Sequence, residues 1–596
     1  MQGSSDEHGE NLSDSESLGA TEKRLILAAA LIQGLSLYAL KYFDAVDAWS
    51  PVWQYLCYTL AVAIPALVIV TIAPRLARGY WLLVAGYMLL LALLAMYRGY
   101  QCTPASLVYC GWPHGYETVV GIATFIVAFL LRACATGVEQ LQRPQYPALF
   151  HFSWDNALTI GLTLVFTGIF WLILFLWQAL FKLVGVGFFR ELFEKDWFIY
   201  PVTWLVAGCG AILFRSQPSF VLTLKRLLRT MLVALLPLLA VLTIVFLATL
   251  PFTGLQPIWD TGRGSALLLW LLALLLFFTN GVIQDEFPFA RYPTWINRIL
   301  LLALIVAPLY GAFAVYGLWL RIAQYGWTPE RLWGFVVALT LFMLAAAYCI
   351  SILRTGGHWA GWLRRINTGL ALWVLAVCIV THSPLANFWR ISADSQVARL
   401  RDGRMALADF DFYFLRRNLG REGLEALREV QTLPVVKQSP EISDYVDRLL
   451  AVDKNSSRQL RKHPLSDEKT TRRLHDIPVL PDGSVLVTEF DAKHEARDCV
   501  HVNRNCLWLI QDLDGDGTSE YLLFLHTTRR DDNNWLKVSA FSKTEGKWRN
   551  FASDSREVTL GFTELQQQLR QQSPELRPSR WHSLYLGHEL LFDPTE

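Results

Sequence analysis

The chain has 596 residues, 53% of them hydrophobic and only 17% charged, with a mean hydropathy of +0.31. Soluble domains carry about a quarter charged residues, so this balance excludes an ordinary soluble globular protein and points to a membrane protein. A formal net charge of +2, with no Lys/Arg block interleaved with aromatics, gives no nucleic-acid groove and leaves the lipid bilayer as the main partner.

Residues 1–22 are acidic and rich in Ser and Gly, which predicts a disordered cytoplasmic tail. They lack the basic n-region and the cleavage site of a secretory signal. Lys23 and Arg24 abut the first apolar run, as in an uncleaved signal anchor whose tail stays inside.

Residues 23–389 read as a transmembrane domain. A helix crosses the hydrocarbon core with about 20 mainly apolar residues. Eleven runs qualify, centred near Gln33, Ala63, Leu90, Ile126, Phe166, Val206, Ala240, Leu271, Leu304, Thr340 and Leu375. Backbone groups cannot stay unpaired in lipid, and these runs do not alternate as barrel strands do, so each is expected to be a helix. Pro65, Pro237 and Pro308 are positioned to kink their spans, and Gln33, Gln178 and Asn280 to bridge helices. The fold class that follows is an α-helical polytopic bundle of about 11 transmembrane helices, then a soluble α+β domain with an antiparallel sheet.

Orientation follows from the Lys/Arg bias of short loops. With the tail inside, fifteen Lys and Arg fall at inner helix ends and eight at outer ones, and the dense clusters (Lys225, Arg226 and Arg229; Arg354, Arg364 and Arg365) are inner. An odd number of spans then puts everything after Trp389 outside. Cysteine usage is a separate test. Five of nine Cys lie in apolar runs, where a thiol is a small hydrophobe. The other four form two close pairs, Cys102 with Cys110 and Cys499 with Cys506, all on the expected outer side. Disulfides belong in an oxidising compartment, so the outside is read as the periplasm. Trp49, Trp53, Trp197, Trp259, Trp327 and Trp389 sit where outer belt aromatics are expected. "GFFRELFEKDW" between spans five and six reads either as an interfacial helix or as a plain connector.

In "LRIAQYGWTPERLWGF" (residues 320–335), Thr328 is a cap, Pro329 suits a first helical turn and Glu330 favours the positive end of the dipole. Span ten therefore starts there. Together with "LFKLVGVGFFRELF", "LPFTGLQPIWDTG", "ISADSQVARL" and "FDFYFLRRNLGREGLEAL", this segment resembles the bacterial inner-membrane proteins grouped as domain of unknown function 4153. The likeness covers roughly residues 160–427 and extends more weakly over the rest of the chain. It implies a polytopic inner-membrane protein of Gram-negative bacteria with a C-terminal extension, and it carries over no catalytic residues.

Span interiors are nearly free of carboxylates: Asp155 and the Asp285–Glu286 pair sit at inner helix ends, as does Arg132, with Lys182 near an outer end. Ionisable groups inside a bilayer mark coupled transport, so a proton-coupled carrier is disfavoured. No nucleophile elbow, P-loop, HExxH or complete EF-hand loop occurs. His114 and Glu117 in an outer loop read as solvated residues beside a disulfide rather than as a catalytic pair.

Residues 390–455 form a periplasmic helical segment, with one helix run broken around Gly420 and Gly423 and a second at "PEISDYVDRLLAV". Residues 456–475 are a polar, basic linker or loop, and residues 476–596 a β-rich domain. Its strand runs are "SVLVTEF", "CLWLIQDL", "EYLLFLH", "WLKVSAFS" and "SLYLGHELLF", alternating so that one face is buried, with "GFTELQQQLRQQ" as a helix packed on the sheet. His494, Cys499, His501 and Cys506 allow a zinc site, but the spacing matches no familiar finger, and a Cys499–Cys506 disulfide is the stronger reading. In "QDLDGDGTSEYLLF", Asp512, Asp514 and Asp516 alternate and Glu520 takes the ninth position of an EF-hand-like loop. The twelfth position is Leu523, so the bidentate Glu is missing, and the flanks are strands. Calcium at these four carboxylates and a plain acidic turn remain equal readings. The functional expectation is a non-enzymatic envelope scaffold, sensor or assembly factor engaging envelope proteins or lipids. The alternative is a transporter or flippase for a lipid-like or uncharged solute.

Overall fold

Long apolar runs can satisfy their backbone in lipid only as helices, and the computed structural model forms them so. It describes residues 18–42, 49–102, 115–143, 145–254, 256, 263–283, 292–355, 359–451, 477–480, 499, 504–513, 515–528, 534–544, 547–558, 561–571, 584–586 and 589–592. The first helices are α1 (Ala20–Tyr42), α2 (Pro51–Thr71), α3 (Tyr80–Gln101), α4 (Tyr116–Ala135), α5 (Tyr146–Leu183) and the short α6 (Phe188–Phe193). Then come α7 (Asp196–Arg215), α8 (Pro218–Thr253), α9 (Gly264–Val282), α10 (Thr294–Tyr325), α11 (Pro329–Thr355) and α12 (Trp359–Thr381). Eleven helices, α1 to α5 and α7 to α12, are long and apolar enough to cross a membrane. Each expected centre falls inside one of them. Large apolar side chains such as Leu164, Leu172, Phe252 and Trp270 point outward along the bundle, a surface that only lipid tolerates on this scale.

Two of the apolar clusters in the bundle are the most extensive among the described residues. One joins α8 to α12 through Leu236, Leu272, Leu304, Tyr310 and Tyr348. The other joins α2, α3 and α4 through Ala63, Tyr80, Leu91 and Val120. Polar side chains inside the bundle bind neighbouring helices. Gln33, fully buried on α1, donates to the Val62 carbonyl of α2 at 3.0 Å. Asn280, Tyr348 and Asn367 join α9, α11 and α12, with Asn280 Oδ1 accepting from the Tyr348 hydroxyl at 2.8 Å and from Asn367 Nδ2 at 2.6 Å. Pro237 removes the amide that would pair with the Val233 carbonyl one turn back, and the Tyr292 hydroxyl donates to that carbonyl at 2.5 Å. Pro65, Pro237 and Pro308 all lie within continuous helices. The connector after span five is helical at α6, where Phe189 stacks on Trp177 at 5.4 Å.

After the last span come α13 (Phe388–Arg401), α14 (Phe412–Asn418), α15 (Gly420–Thr432), α16 (Pro434–Lys437) and α17 (Pro440–Ala451). The helical break falls between Asn418 and Gly420. Gly423 lies inside α15, where a Cβ would meet the Leu415 carbonyl oxygen at 1.9 Å. Two compact units divide the chain, Met1–Arg461 and Lys462–Glu596, so this helical cap packs with the bundle.

The second unit holds β1 (Val479–Leu480), β2 (Arg504–Gln511), β3 (Glu520–Thr528), β4 (Asn534–Thr544), β5 (Lys547–Val558), α18 (Phe562–Gln571) and a hairpin of β6 (Leu584–Leu586) and β7 (Glu589–Phe592). The five-stranded sheet has the order β1-β2-β3-β4-β5. The expected antiparallel sheet is in fact mixed, because β1 runs parallel to β2 with Val479 opposite Trp508. Its expected single buried face is also corrected. Cys506, Trp508, Leu523 and Phe541 make one core, and Leu480, Leu507 and Leu509 make a second on the other face, covered by Phe562 and Leu569 of α18. The run "SVLVTEF" lies outside the described residues.

Candidate functional site

The last four carbonyls of a helix have no partner within it. At the end of α10, Ile322 gives its carbonyl to the amide of Gly326 at 2.8 Å. The next three are taken by side chains of α13. Arg399 donates to the Ala323 and Gln324 carbonyls at 3.3 and 2.6 Å, and Gln396 to that of Tyr325 at 3.2 Å. Gln396 also reaches the Trp327 carbonyl at 2.9 Å, where the Ser392 hydroxyl donates at 3.1 Å, and Ser395 Oγ accepts from the Trp327 amide at 3.1 Å. Residues 392, 395, 396 and 399 lie on one helical face by their spacing, so one stripe of α13 holds most of the turn between α10 and α11, and Arg331 of α11 donates to the Tyr325 and Gly326 carbonyls at 3.1 and 2.7 Å. Gly326 is required there. Its φ is +75° and a Cβ would meet Arg399 and Gln396 at 2.8 Å. The start of α11 is as expected, with Thr328 Oγ1 accepting from the Arg331 amide at 3.4 Å.

A second anchor lies beside the first. Asn387 caps α13, accepting from the Trp389 and Arg390 amides at 3.1 and 3.2 Å, and its amide donates to Glu422 at 2.8 Å. The Trp389 ring lies 3.8 Å beneath the Arg98 guanidinium of α3. Gly420 comes down on the same ring with φ +53°; a Cβ there would meet the Gln101 carbonyl oxygen at 2.5 Å and Trp389 at 2.6 Å. Arg421 covers the Tyr100 ring at 3.9 Å and donates to its hydroxyl. A chain of rings continues inward, Phe388 to Trp333 to His382 to Tyr116 to Tyr55, at centroid spacings of 5.4 to 5.8 Å. Within the cap, buried Arg416 donates to the Leu449 carbonyl at 3.1 Å, and burial pushes its pKa down. Burial also pushes the Tyr445 hydroxyl up to about 12.

Trp327 and Trp389, expected as belt aromatics, are half-buried in this junction, whereas Trp49, Trp53 and Trp197 are exposed. Trp259 lies outside the described residues. Ser392, Ser395, Gln396 and Arg399 were not singled out from the sequence, although their 3-1-3 spacing just after the last span is a legible stripe. Three of the stretches that carry the family resemblance, "LRIAQYGWTPERLWGF", "ISADSQVARL" and "FDFYFLRRNLGREGLEAL", meet at this one place.

The expected metal and disulfide residues are elsewhere. Cys499 and Cys506 form a disulfide. Cys102 is buried and disulfide-bonded, while Cys110, His114, His494 and His501 lie outside the described residues. Glu117 sits in the first turn of α4. Asp512, Asp516 and Glu520 lie in or next to the β2–β3 turn, and Asp514 is outside the described residues. Asp512 accepts from the amides of Gly515 and Gly517 at 2.7 and 3.0 Å. Asp516 accepts from the amide of Thr518 at 2.7 Å and from its hydroxyl. Glu520, 6% exposed, accepts from the amide of Leu513 at 2.7 Å. Among the described residues, no group of three or more His, Cys, Asp or Glu could hold a metal ion.

No curated protein and no solved structure matches this chain. A family model described as a domain of unknown function, DUF4153, matches residues 20–430. That match starts with α1 and ends inside α15, so it takes in both sides of the junction. A polytopic helical bundle with its helical cap, matched over more than two thirds of the chain, places this membrane protein in the DUF4153 family.

Proposed function

We propose that this protein is a non-enzymatic scaffold, sensor or assembly factor of the bacterial inner membrane. Its N-terminus faces the cytoplasm, and its helical cap and C-terminal sheet domain lie on the periplasmic side, where they engage envelope proteins or lipids. The observation that carries this reading is the junction. A helix that satisfies the backbone of an interhelical turn with four of its side chains is a fixed platform, as an assembly or sensing surface requires. The orientation rests on the excess of inner Lys and Arg and on the outer cysteine pairs. The packing supports a scaffold more than a carrier. Among the described residues, a cavity between α3, α4 and α12 measures about 10 Å³, and one lined by α4, α5, α7 and α8 about 40 Å³; each is too small for a lipid or a drug-sized solute. The turn at residues 512–520 is read as a self-closed acidic turn rather than a calcium site, because Asp512, Asp516 and Glu520 already accept the loop's own amides.

The test has two parts. An enzymatic reporter that works only in the periplasm, fused after Glu596, is expected to be active; inactivity refutes the topology. The protein reconstituted in liposomes is expected to move neither a lipid probe nor an uncharged solute, and protein-dependent movement of either sinks the scaffold reading.

A further inference from the structure

Among the described strands, the five-stranded sheet of the C-terminal unit has two edges of unequal kind. At one, β1 is two residues long and its Leu480 is buried. At the other, β5 is twelve residues long, and every residue from Asn550 to Glu557 is exposed, so both faces of this stretch stand open. An edge strand carries a row of backbone donors and acceptors that a further strand can take. A bulge at Phe551 divides β5, because Phe541 of β4 lies opposite Asn550 while Ala540 lies opposite Ala552. From Ala552 to Val558 the strand then runs in unbroken register against Ala540 to Asn534. Its charges there are Asp554, Arg556 and Glu557. Arg556 Nε donates to Asp554 Oδ2 at 2.8 Å along one face, and Asp554 Oδ1 accepts from the Ser555 amide at 2.7 Å. Strand β4 places Val538 and Leu536 opposite Asp554 and Arg556.

We propose that β5 is a self-association edge, which pairs antiparallel with β5 of a second copy of this chain about a two-fold axis through Ser555. Hydrogen-bonded and non-hydrogen-bonded pairs alternate along an antiparallel ladder, so a two-fold axis relating two identical strands must pass through a residue. Centred on Asp554 or on Arg556, the ladder opposes that charge to its own copy, which repels. Centred on Ser555, it sets Asp554 opposite Arg556 of the second copy, and Arg556 opposite Asp554 of the second copy. Each ion pair within a strand thereby gains a partner across the interface, and Glu557 meets Ser553 of the second copy. This register also overlaps the whole bulge-free stretch from Ala552 to Val558. Charges on an edge discourage an arbitrary strand, but these match themselves when the strand is turned end for end, which selects a copy over other chains. The contact is short. Two copies in one bilayer carry their C-terminal units on the same side, and that confinement raises their effective concentration. The pairing does not depend on which side of the membrane the unit occupies.

Cysteine cross-linking of the full-length protein in isolated membranes tests the pairing, with the parent protein as the blank. Directly opposed residues of an antiparallel ladder have Cα atoms about 4.5–5.5 Å apart, within reach of a disulfide. Ser555→Cys is therefore expected to give a disulfide-linked dimer on mild oxidation. In Glu557→Cys the two sulfurs would lie about 14 Å apart along the ladder, and the yield is expected to be about tenfold lower. No dimer from Ser555→Cys, or equal yields at the two positions, overturns the proposal. A cross-link to a different polypeptide in place of a second copy gives the edge to another partner and also overturns it. Added to Ser555→Cys, either Asp554→Arg or Arg556→Asp should lower the yield about tenfold, since two like-charge pairs replace two unlike ones. Co-expressed, these two charge variants should cross-link to each other about as well as the unreversed protein does to itself, because each supplies the charge the other lacks. That recovery excludes misfolding as the cause of the single losses. Unchanged yields in the single reversals, or no recovery in the mixture, sink the self-pairing.

Discussion

The two ends of the bundle are assembled by different physics. At the cap, side chains of α13 donate to the orphan carbonyls of α10, and two glycines at positive φ let helices and rings close without a side chain between them. At the other end, Lys225, His151 and Arg132 gather around the Asp155 carboxylate, and Arg215 donates to the Ile69 and Ile72 carbonyls. A junction closed by backbone hydrogen bonds is suited to holding a shape. A cluster of ion pairs holds its helices through opposite charges instead.

Substitutions can break this contrast. The largest effect is expected for Gly420→Val, which puts a β-branched side chain at positive φ and into the Gln101 carbonyl and Trp389. It should cost about 3 kcal/mol and lower the thermal unfolding temperature of the detergent-purified protein. Added salt should not recover the loss. Asp155→Asn is expected to cost about 2 kcal/mol in the same measurement by leaving Arg132 and Lys225 facing each other unscreened. Here added salt should restore much of the stability; equal salt responses in the two variants would erase the distinction between the ends. The smallest effect at neutral pH is expected for Tyr445→Phe, below about 1 kcal/mol. Its signature is alkaline. The folded state holds the Tyr445 proton up to about 12, against an ordinary 10.0. The unfolded chain therefore loses that proton first, and the Tyr445 contribution drains away as pH rises from 10 towards 12. Unfolding temperature followed across that window should fall less in Tyr445→Phe than in the parent protein.

The membrane helices were legible because lipid imposes one requirement, backbone pairing within the segment, and composition alone reports it. Local signals were equally readable: Thr328–Pro329 at the start of α11, the strand–turn–strand around residues 512–519, and the pairing of Cys499 with Cys506. The junction was not, because its bonds join residues about 70 positions apart, and no local pattern says which helix end Gln396 and Arg399 will cap. Strand β5 was missed because an edge strand reading "NFASDSREV" is polar on both faces, as edges that avoid pairing with other chains tend to be. Strand β1, two residues long, offers no period at all. The cluster around Asp155 was half legible. Asp155 and Arg132 were each seen at inner helix ends, but that three helices would bring Arg132, His151 and Lys225 to one carboxylate is a fact of packing.

Helix α5 is 38 residues long, about 57 Å, against a hydrocarbon core of about 30 Å. Its polar first quarter accounts for part of the difference, and the apolar remainder still exceeds the core. Such a helix is mismatched to its solvent and must tilt or thicken the bilayer around it. Asp155 rides on this helix, whereas Arg132 and Arg215 end shorter ones, so membrane thickness acts directly on how closely the carboxylate and the guanidiniums approach. The lipid would then enter as a mechanical setting through the length of its chains.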